Sequence, residues 1–466
     1  MAFAVFRCLL CAVALPVAFA SNVAPVVAEP LPDPRIAGFH FPENEATLTA
    51  WITALSRGSA IDAAPAAFEK IHLHAWGLWT ALTTETNQSL GGQKLRVFET
   101  WLTPDDLTGA PAVRERAPLR QLAQLRVQAE EFESPAAPPD DTSTARVLGF
   151  TKFNPAAAEH ISKQDLLHLS TLDTLLQGGA SQVPPFPAET LVVKPVFQVI
   201  TASTLTDGRY YLLKAWPGPP DTPRAWGPAQ WPGGVWIDLL GGGEGRGAID
   251  ELAASDGSTR TSATTYPLAQ LINYRLSASD AAAVNVDKPG TNAVAGDIAI
   301  LVAMHVSTRE IARWTWQTFW WTPTPEDPHA PSSPNIAAQR PDQLRGAARN
   351  YAMALAYSLL TPDQPYVGGE NSGAAVYAYN PWIEARFTPA DLPDSLPGTA
   401  PDGQPATNSF GVQTNCMSCH ARATYNPLKL ATAPRFSGSR YVDLIDPQFV
   451  GTLQVDFLWS VARHAK

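Results

Sequence analysis

The chain is 466 residues long, with 33 Lys and Arg against 43 Asp and Glu, a formal net charge of −10. That length suffices for two or three domains, and the acidic balance argues against a phosphate-backbone binder, so nucleic acid is not an expected partner. The 43 Pro forecast many loops and extended segments.

Residues 1–20 read as a secretory signal peptide: Arg7, an apolar run from Cys8 to Phe19, and Ala18-Phe19-Ala20 as a small-residue site cleaved after Ala20. The run is too short to cross a bilayer, and no later stretch holds about twenty uninterrupted apolar residues, so no integral span is expected once the signal is removed. Residues 21–145 read as an N-terminal, mainly helical region. A Pro- and Ala-rich arm comes first, then helices around Trp51–Leu55 and over Ala64–Thr83. Leu95–Trp101 alternates like a strand, Thr103-Pro104-Asp105-Asp106 opens a turn or short helix, and residues 135–145 form a linker.

Residues 146–325 change character. Apolar and aromatic runs at Thr190–Ile200, Arg209–Trp216, Gly234–Leu240, Leu268–Leu276, Asp297–Val306 and Trp314–Trp321 are separated by Gly-, Pro- and Asp-rich turns. They predict an antiparallel sandwich or barrel. In the last run Trp314, Trp316, Thr318 and Trp320 share one face, an aromatic surface suited to core packing or to a ligand platform. Residues 326–341 read as a linker, and 342–466 as a helical domain. There Leu344, Ala348, Tyr351, Leu355 and Leu359 recur at helical spacing, and Asp446-Pro447 opens a last helix carrying Phe449, Leu453, Phe457 and Val461. The expected class is α+β and multidomain.

The C-terminal part contains Cys416-Met417-Ser418-Cys419-His420. This is the C-x-x-C-H spacing of c-type haem attachment, in which both thiols form thioethers with the haem vinyls and the histidine is an axial iron ligand. With the signal removed, Cys416 and Cys419 are the only cysteines left, so the alternatives are one disulfide or a thioredoxin-like redox pair. A zinc half-site would need a second cysteine pair that the sequence lacks. Export and covalent haem agree with each other, and together point to the periplasm.

No Met follows His420, unlike small electron-transfer cytochromes c. Met353, placed on the predicted helix face opposite Leu344–Leu359, and His305 are the candidates for a sixth ligand. If neither binds iron, the sixth site is open to oxygen, peroxide or other diatomic molecules. His305, with Arg309 and Glu310 just after it, also supplies the candidates for distal acid–base or polar groups. Met304 and His305 fall on opposite faces of a strand, so at most one faces the haem. His464 is expected on the exposed last turn. The run Gly241–Gly247 has neither P-loop nor dinucleotide spacing and reads as a hairpin loop.

Three segments, Met304–Trp321, Tyr379–Phe387 and Asn415–His420, resemble a group of exported bacterial proteins of the cytochrome c family. The resemblance implies a single covalent haem c and a periplasmic location, and no particular substrate. The first expectation is a redox or electron-transfer cytochrome working with a partner protein. The second is a haem enzyme, an oxygenase or peroxidase-like oxidoreductase with a small-molecule substrate. The third is a diatomic gas sensor.

Overall fold

The structure, a computed structural model, describes residues 26–55, 66–108, 147–149, 151–222, 224–247, 260–287, 289–387, 411–428 and 441–466. The segment read as a signal sequence, with Cys8 and Cys11, and the stretch 135–145 read as a linker lie outside them. The fold mixes helices and sheets, as an α+β protein.

Two helices come first, α1 (Glu45–Ala54) and α2 (Ala66–Thr83). Asn44 caps α1 by accepting a hydrogen bond from the Ala46 amide, which satisfies one of the unpaired donors of the first turn. A hairpin of β1 (Glu85–Leu90) and β2 (Gln93–Arg96) follows. Leu95–Trp101 is thus strand only to Arg96; a 3-10 turn takes over at Val97–Thr100.

A seven-stranded antiparallel sheet organises the rest. It comprises β3 (Val147–Gly149), β4 (Lys152–Phe153), β5 (Leu191–Ile200), then β10 (Asn273–Arg275), β11 (Ile298–Thr308), β12 (Thr315–Trp321) and β13 (Tyr351–Ala356). Between β5 and β10 the chain builds a separate four-stranded sheet, β6 (Leu205–Thr206), β7 (Tyr210–Lys214), β8 (Gly234–Asp238) and β9 (Thr265–Pro267), with β8 and β9 parallel. Among the described residues the large sheet runs β13-β12-β11-β5-β3 and does not close on itself, so of the expected sandwich or barrel the closed barrel does not form, and its long strands are buried on both faces. That double cover explains why β5, β11 and β12 read as nearly continuous apolar runs rather than alternating ones.

Side-chain alternation sorts the two faces. Phe319, Met304 and Met353 are cross-strand neighbours, and Trp79 of α2 stacks on Phe319 at 4.3 Å between centroids. The opposite face carries His305, Ser307, Trp316 and Thr318, with His305 opposite Thr318 and Ser307 opposite Trp316. A bulge between Leu301 and Ala303 shifts the β11·β5 register by one residue, and beyond it His305 stands opposite Lys194.

The helix expected from Pro341 to Leu360 does not form. A 3-10 turn at Gly346–Asn350 leads straight into β13, which pairs with β12. Gly346 has φ +60°, which breaks a helix at its start, and Tyr351-Ala-Met-Ala-Leu-Ala356 satisfies a period of two as well as a helical one. Sheet pairing decides between them. The stretch 326–341 therefore connects two adjacent strands, with a short helix, Pro334–Ala338, inside it. The last predicted helix also shrinks: Pro447–Phe449 is a 3-10 turn, Leu453–Gln454 pairs with Thr424–Tyr425, and only Trp459–His464 is α-helical. Left-handed backbone at Gly451, Asp456 and Phe457 interrupts it.

Candidate functional site

The C-x-x-C-H segment is itself a five-residue helix, Cys416–His420. Asn415 caps it, its Oδ1 accepting from the Met417 amide at 2.9 Å while its Nδ2 donates to the Val376 carbonyl at 2.8 Å and the Ser358 carbonyl at 3.3 Å. The Cys416 amide donates to the Ala378 carbonyl, and so does the Cys416 thiol at 3.1 Å. The helix is thereby nailed to the segment after β13. Met417, fully buried, anchors it to the second core cluster with Trp316 and Tyr425.

Cys416 and Cys419 are half-buried thiols with no disulfide between them. Burial, with the nearby charge of Glu384, pushes the Cys416 thiol well above its usual range. A redox-exchange cysteine needs the opposite, a stabilised thiolate, so this surrounding argues against the thioredoxin-like alternative.

Two contacts among the described residues orient His420. Its Nδ1 lies 2.8 Å from the Phe457 carbonyl, and its ring lies against Trp316 with centroids 4.1 Å apart. A carbonyl only accepts, so the proton sits on Nδ1 and the lone pair of the neutral ring on Nε2. This is the tautomer of a metal-ligating histidine oriented by a backbone acceptor.

Cys416, Cys419 and His420 line one cleft on the Trp316 face of the sheet. Val192, Trp316, Leu458 and Trp459 give it apolar walls; Lys194 and Arg463 add cationic groups. His305 lies in the same cleft, its Nε2 2.8 Å from Glu384 Oε1, and the Asn380 amide donates to Glu384 Oε2 at 2.6 Å. Asn380 is fixed in turn by donating to Thr318 Oγ1 and the Phe319 carbonyl. Burial alone would raise the Glu384 carboxyl, but the charge and hydrogen bond of His305, the Asn380 amide and Lys194 outweigh it and hold the group below the usual carboxylate range.

Of the residues singled out from sequence, the structure brings Cys416, Cys419, His420 and His305 together. It separates three others. Met353 is fully buried in β13 on the face covered by α2, where it packs in the main core and lines no part of the cleft. Its sequence placement failed with the helix that was to carry it. Arg309 pairs with Asp456 at 3.0 Å. Glu310 turns toward α2, where His74 Nε2 is 3.1 Å away and the Thr308 hydroxyl donates to its other oxygen. Once β11 ends at Thr308 the alternation that aims His305 no longer governs these two side chains. His464, expected on an exposed turn, lines the cleft.

Sequence reasoning missed Glu384, Lys194 and Arg463. Glu384 stands within the recognised Tyr379–Phe387 segment, which was the available signal. Among the described residues no group of three or more His, Cys, Asp or Glu could hold a metal ion. The chain matches no known protein family, no curated protein and no solved structure. No described helix is long and apolar enough to cross a membrane.

Proposed function

We propose that this chain is a periplasmic mono-haem c-type protein of redox function, with haem c attached at Cys416 and Cys419 and His420 as an axial iron ligand. The observation that carries the reading is the convergence of these three side chains on one cleft, with His420 Nδ1 committed to the Phe457 carbonyl. The donor set fits the group: two thiols at the right spacing, one imidazole in the metal-binding tautomer, apolar walls, and Lys194 and Arg463 as cations for propionates. Haem c, when bound, supplies one-electron iron chemistry. The chain's own part is to hold the imidazole in one orientation, to shield the site with Trp316 and Trp459, and to present His305 and Glu384. Electron transfer with a partner protein is the first reading.

A haem enzyme is the second reading, favoured by the His305–Glu384 pair in the same cleft. A histidine tied to a carboxylate is equipped to hold and move a proton beside a bound substrate. The test is an optical spectrum of the protein matured in a host competent for haem c attachment, ferric and ferrous, with and without carbon monoxide. Covalent haem that survives acid extraction is expected in wild type and lost in Cys416→Ser/Cys419→Ser. Absence of haem in wild type overturns the proposal. A carbon monoxide shift selects the enzyme reading, and no shift selects electron transfer with an internal sixth ligand, for which His305→Ala is the next variant.

A further inference from the structure

The carbonyl that holds His420 sits on strained backbone. Asp456 and Phe457 both have left-handed φ, +46° and +67°, a conformation that is costly for a non-glycine residue and persists only where surroundings impose it. The surroundings are polar and specific. Asp456 is buried, and its Oδ2 accepts from Arg309 Nε at 3.0 Å and from the Phe186 amide at 2.8 Å, while Gln182 reaches Oδ1 at 3.5 Å. Arg309 in turn extends from the end of β11, where its amide donates to the Thr190 carbonyl. The side chains of this ion pair are 14% and 1% exposed, so it is largely withdrawn from water. A continuous set of contacts thus runs from the sheet through Arg309, Asp456 and the Phe457 carbonyl to His420 Nδ1.

We propose that Arg309 and Asp456 are positioning residues for His420. They clamp the left-handed Asp456–Phe457 turn so that the Phe457 carbonyl accepts from Nδ1, and so set both the orientation of the imidazole and its electron donation toward iron. This rests on the haem c reading above. A strong Nδ1–H···O=C bond raises ligand basicity, and a more basic axial ligand favours the ferric state. Loosening the clamp therefore favours ferrous iron.

Redox titration of the holoprotein separates this from a simple charge effect. By charge alone, Asp456→Asn would favour ferrous iron and Arg309→Gln would favour ferric iron. Through the clamp, both variants shift the same way. Asn tolerates left-handed φ nearly as well as any non-glycine residue, so Asp456→Asn keeps the backbone preference while removing the ion pair. Both variants are expected to keep covalent haem and to raise the ferrous-to-ferric ratio at a fixed potential by three- to tenfold, tenfold being 59 mV for one electron. Shifts of opposite sign, or none, overturn the inference. Wild type gives a measurement that needs no variant: the His420 Nδ1 proton, resolved by its paramagnetic shift in the ferric NMR spectrum, is expected to exchange slowly with deuterated water. Rapid exchange overturns the clamp even if neither variant accumulates. Wild type without covalent haem overturns the haem reading itself, and this inference with it.

Discussion

The Trp316 indole lies against the His420 imidazole, ring centroids 4.1 Å apart and planes inclined by 35°. One residue belongs to β12 of the large sheet and the other to a five-residue helix about a hundred positions later. The contact is one of those that join the C-x-x-C-H segment to the rest of the fold, and such contacts are needed because so short a helix has no stability of its own. Trp316→Ala is expected to destabilise the protein by about 3–5 kcal/mol through the cavity it leaves, read as a lower denaturant midpoint with an unchanged slope. Trp316→Phe keeps a ring against His420 and should cost less. Equal costs for the two variants would show that the ring contact is not what holds the segment.

The Glu384 carboxyl is held below its ordinary range, burial opposing and His305, the Asn380 amide and Lys194 prevailing. A depressed folded-state value means that Glu384 contributes stability above the unfolded carboxylate range, near pH 4.3, and that the contribution is lost as pH falls through the lower folded value. The difference in unfolding free energy between wild type and Glu384→Gln should therefore be largest near neutral pH and shrink as the solution is acidified below about pH 4. Chemical denaturation at pH 7, 5 and 3 measures it. A difference that grows on acidification contradicts the assigned direction.

The motif, the strands and the placement of His305 were legible because each depends on local pattern. C-x-x-C-H is read from spacing, and β5, β11 and β12 from β-branched and aromatic runs bounded by turns. His305 could be set opposite Met304 from alternation alone, and the structure agrees. What failed was decided by tertiary pairing. Tyr351–Ala356 carries apolar residues that suit a helix or a strand, and only the presence of β12 beside it chooses. Gly451 was the one visible signal that the last helix breaks; the left-handed turn at Asp456–Phe457 has no glycine to announce it. Lys194 entered the cleft through a one-residue bulge in β11, which no periodicity predicts.

Met353 is a core residue, and its substitutions should behave as core substitutions. Met353→Leu conserves volume and is expected to cost under about 1.5 kcal/mol, whereas Met353→Ala should cost about 2–5 kcal/mol. Under the haem c proposal, neither should alter the haem spectrum in either oxidation state. Loss of an absorption feature characteristic of sulfur ligation in Met353→Leu, with the fold intact, would return this residue to the iron.

Glu310 belongs to a buried network on the α2 side rather than to the cleft. Its carboxylate faces His74 Nε2, the Thr308 hydroxyl and the Glu43 amide. His74 Nδ1 accepts from the Tyr357 hydroxyl at 2.7 Å, and Gln317 Nε2 donates to both Tyr357 and Thr315. Burial, reinforced by the Glu310 charge, pushes the Tyr357 hydroxyl well above its usual range, which keeps it a donor to His74. Removing one member strands the others without water, so His74→Ala is expected to cost about 3–5 kcal/mol. Glu310→Gln removes the charge but keeps the volume, and in the double variant the loss of His74 no longer strands a carboxylate. A double-mutant cycle should thus give a coupling of about 0.5–3 kcal/mol, with the single costs summing to more than the double cost. The Soret band of the holoprotein should stay in place in all three variants. A shifted band in Glu310→Gln would return Glu310 to the cleft, and strict additivity would mean that His74 and Glu310 do not act on each other at all.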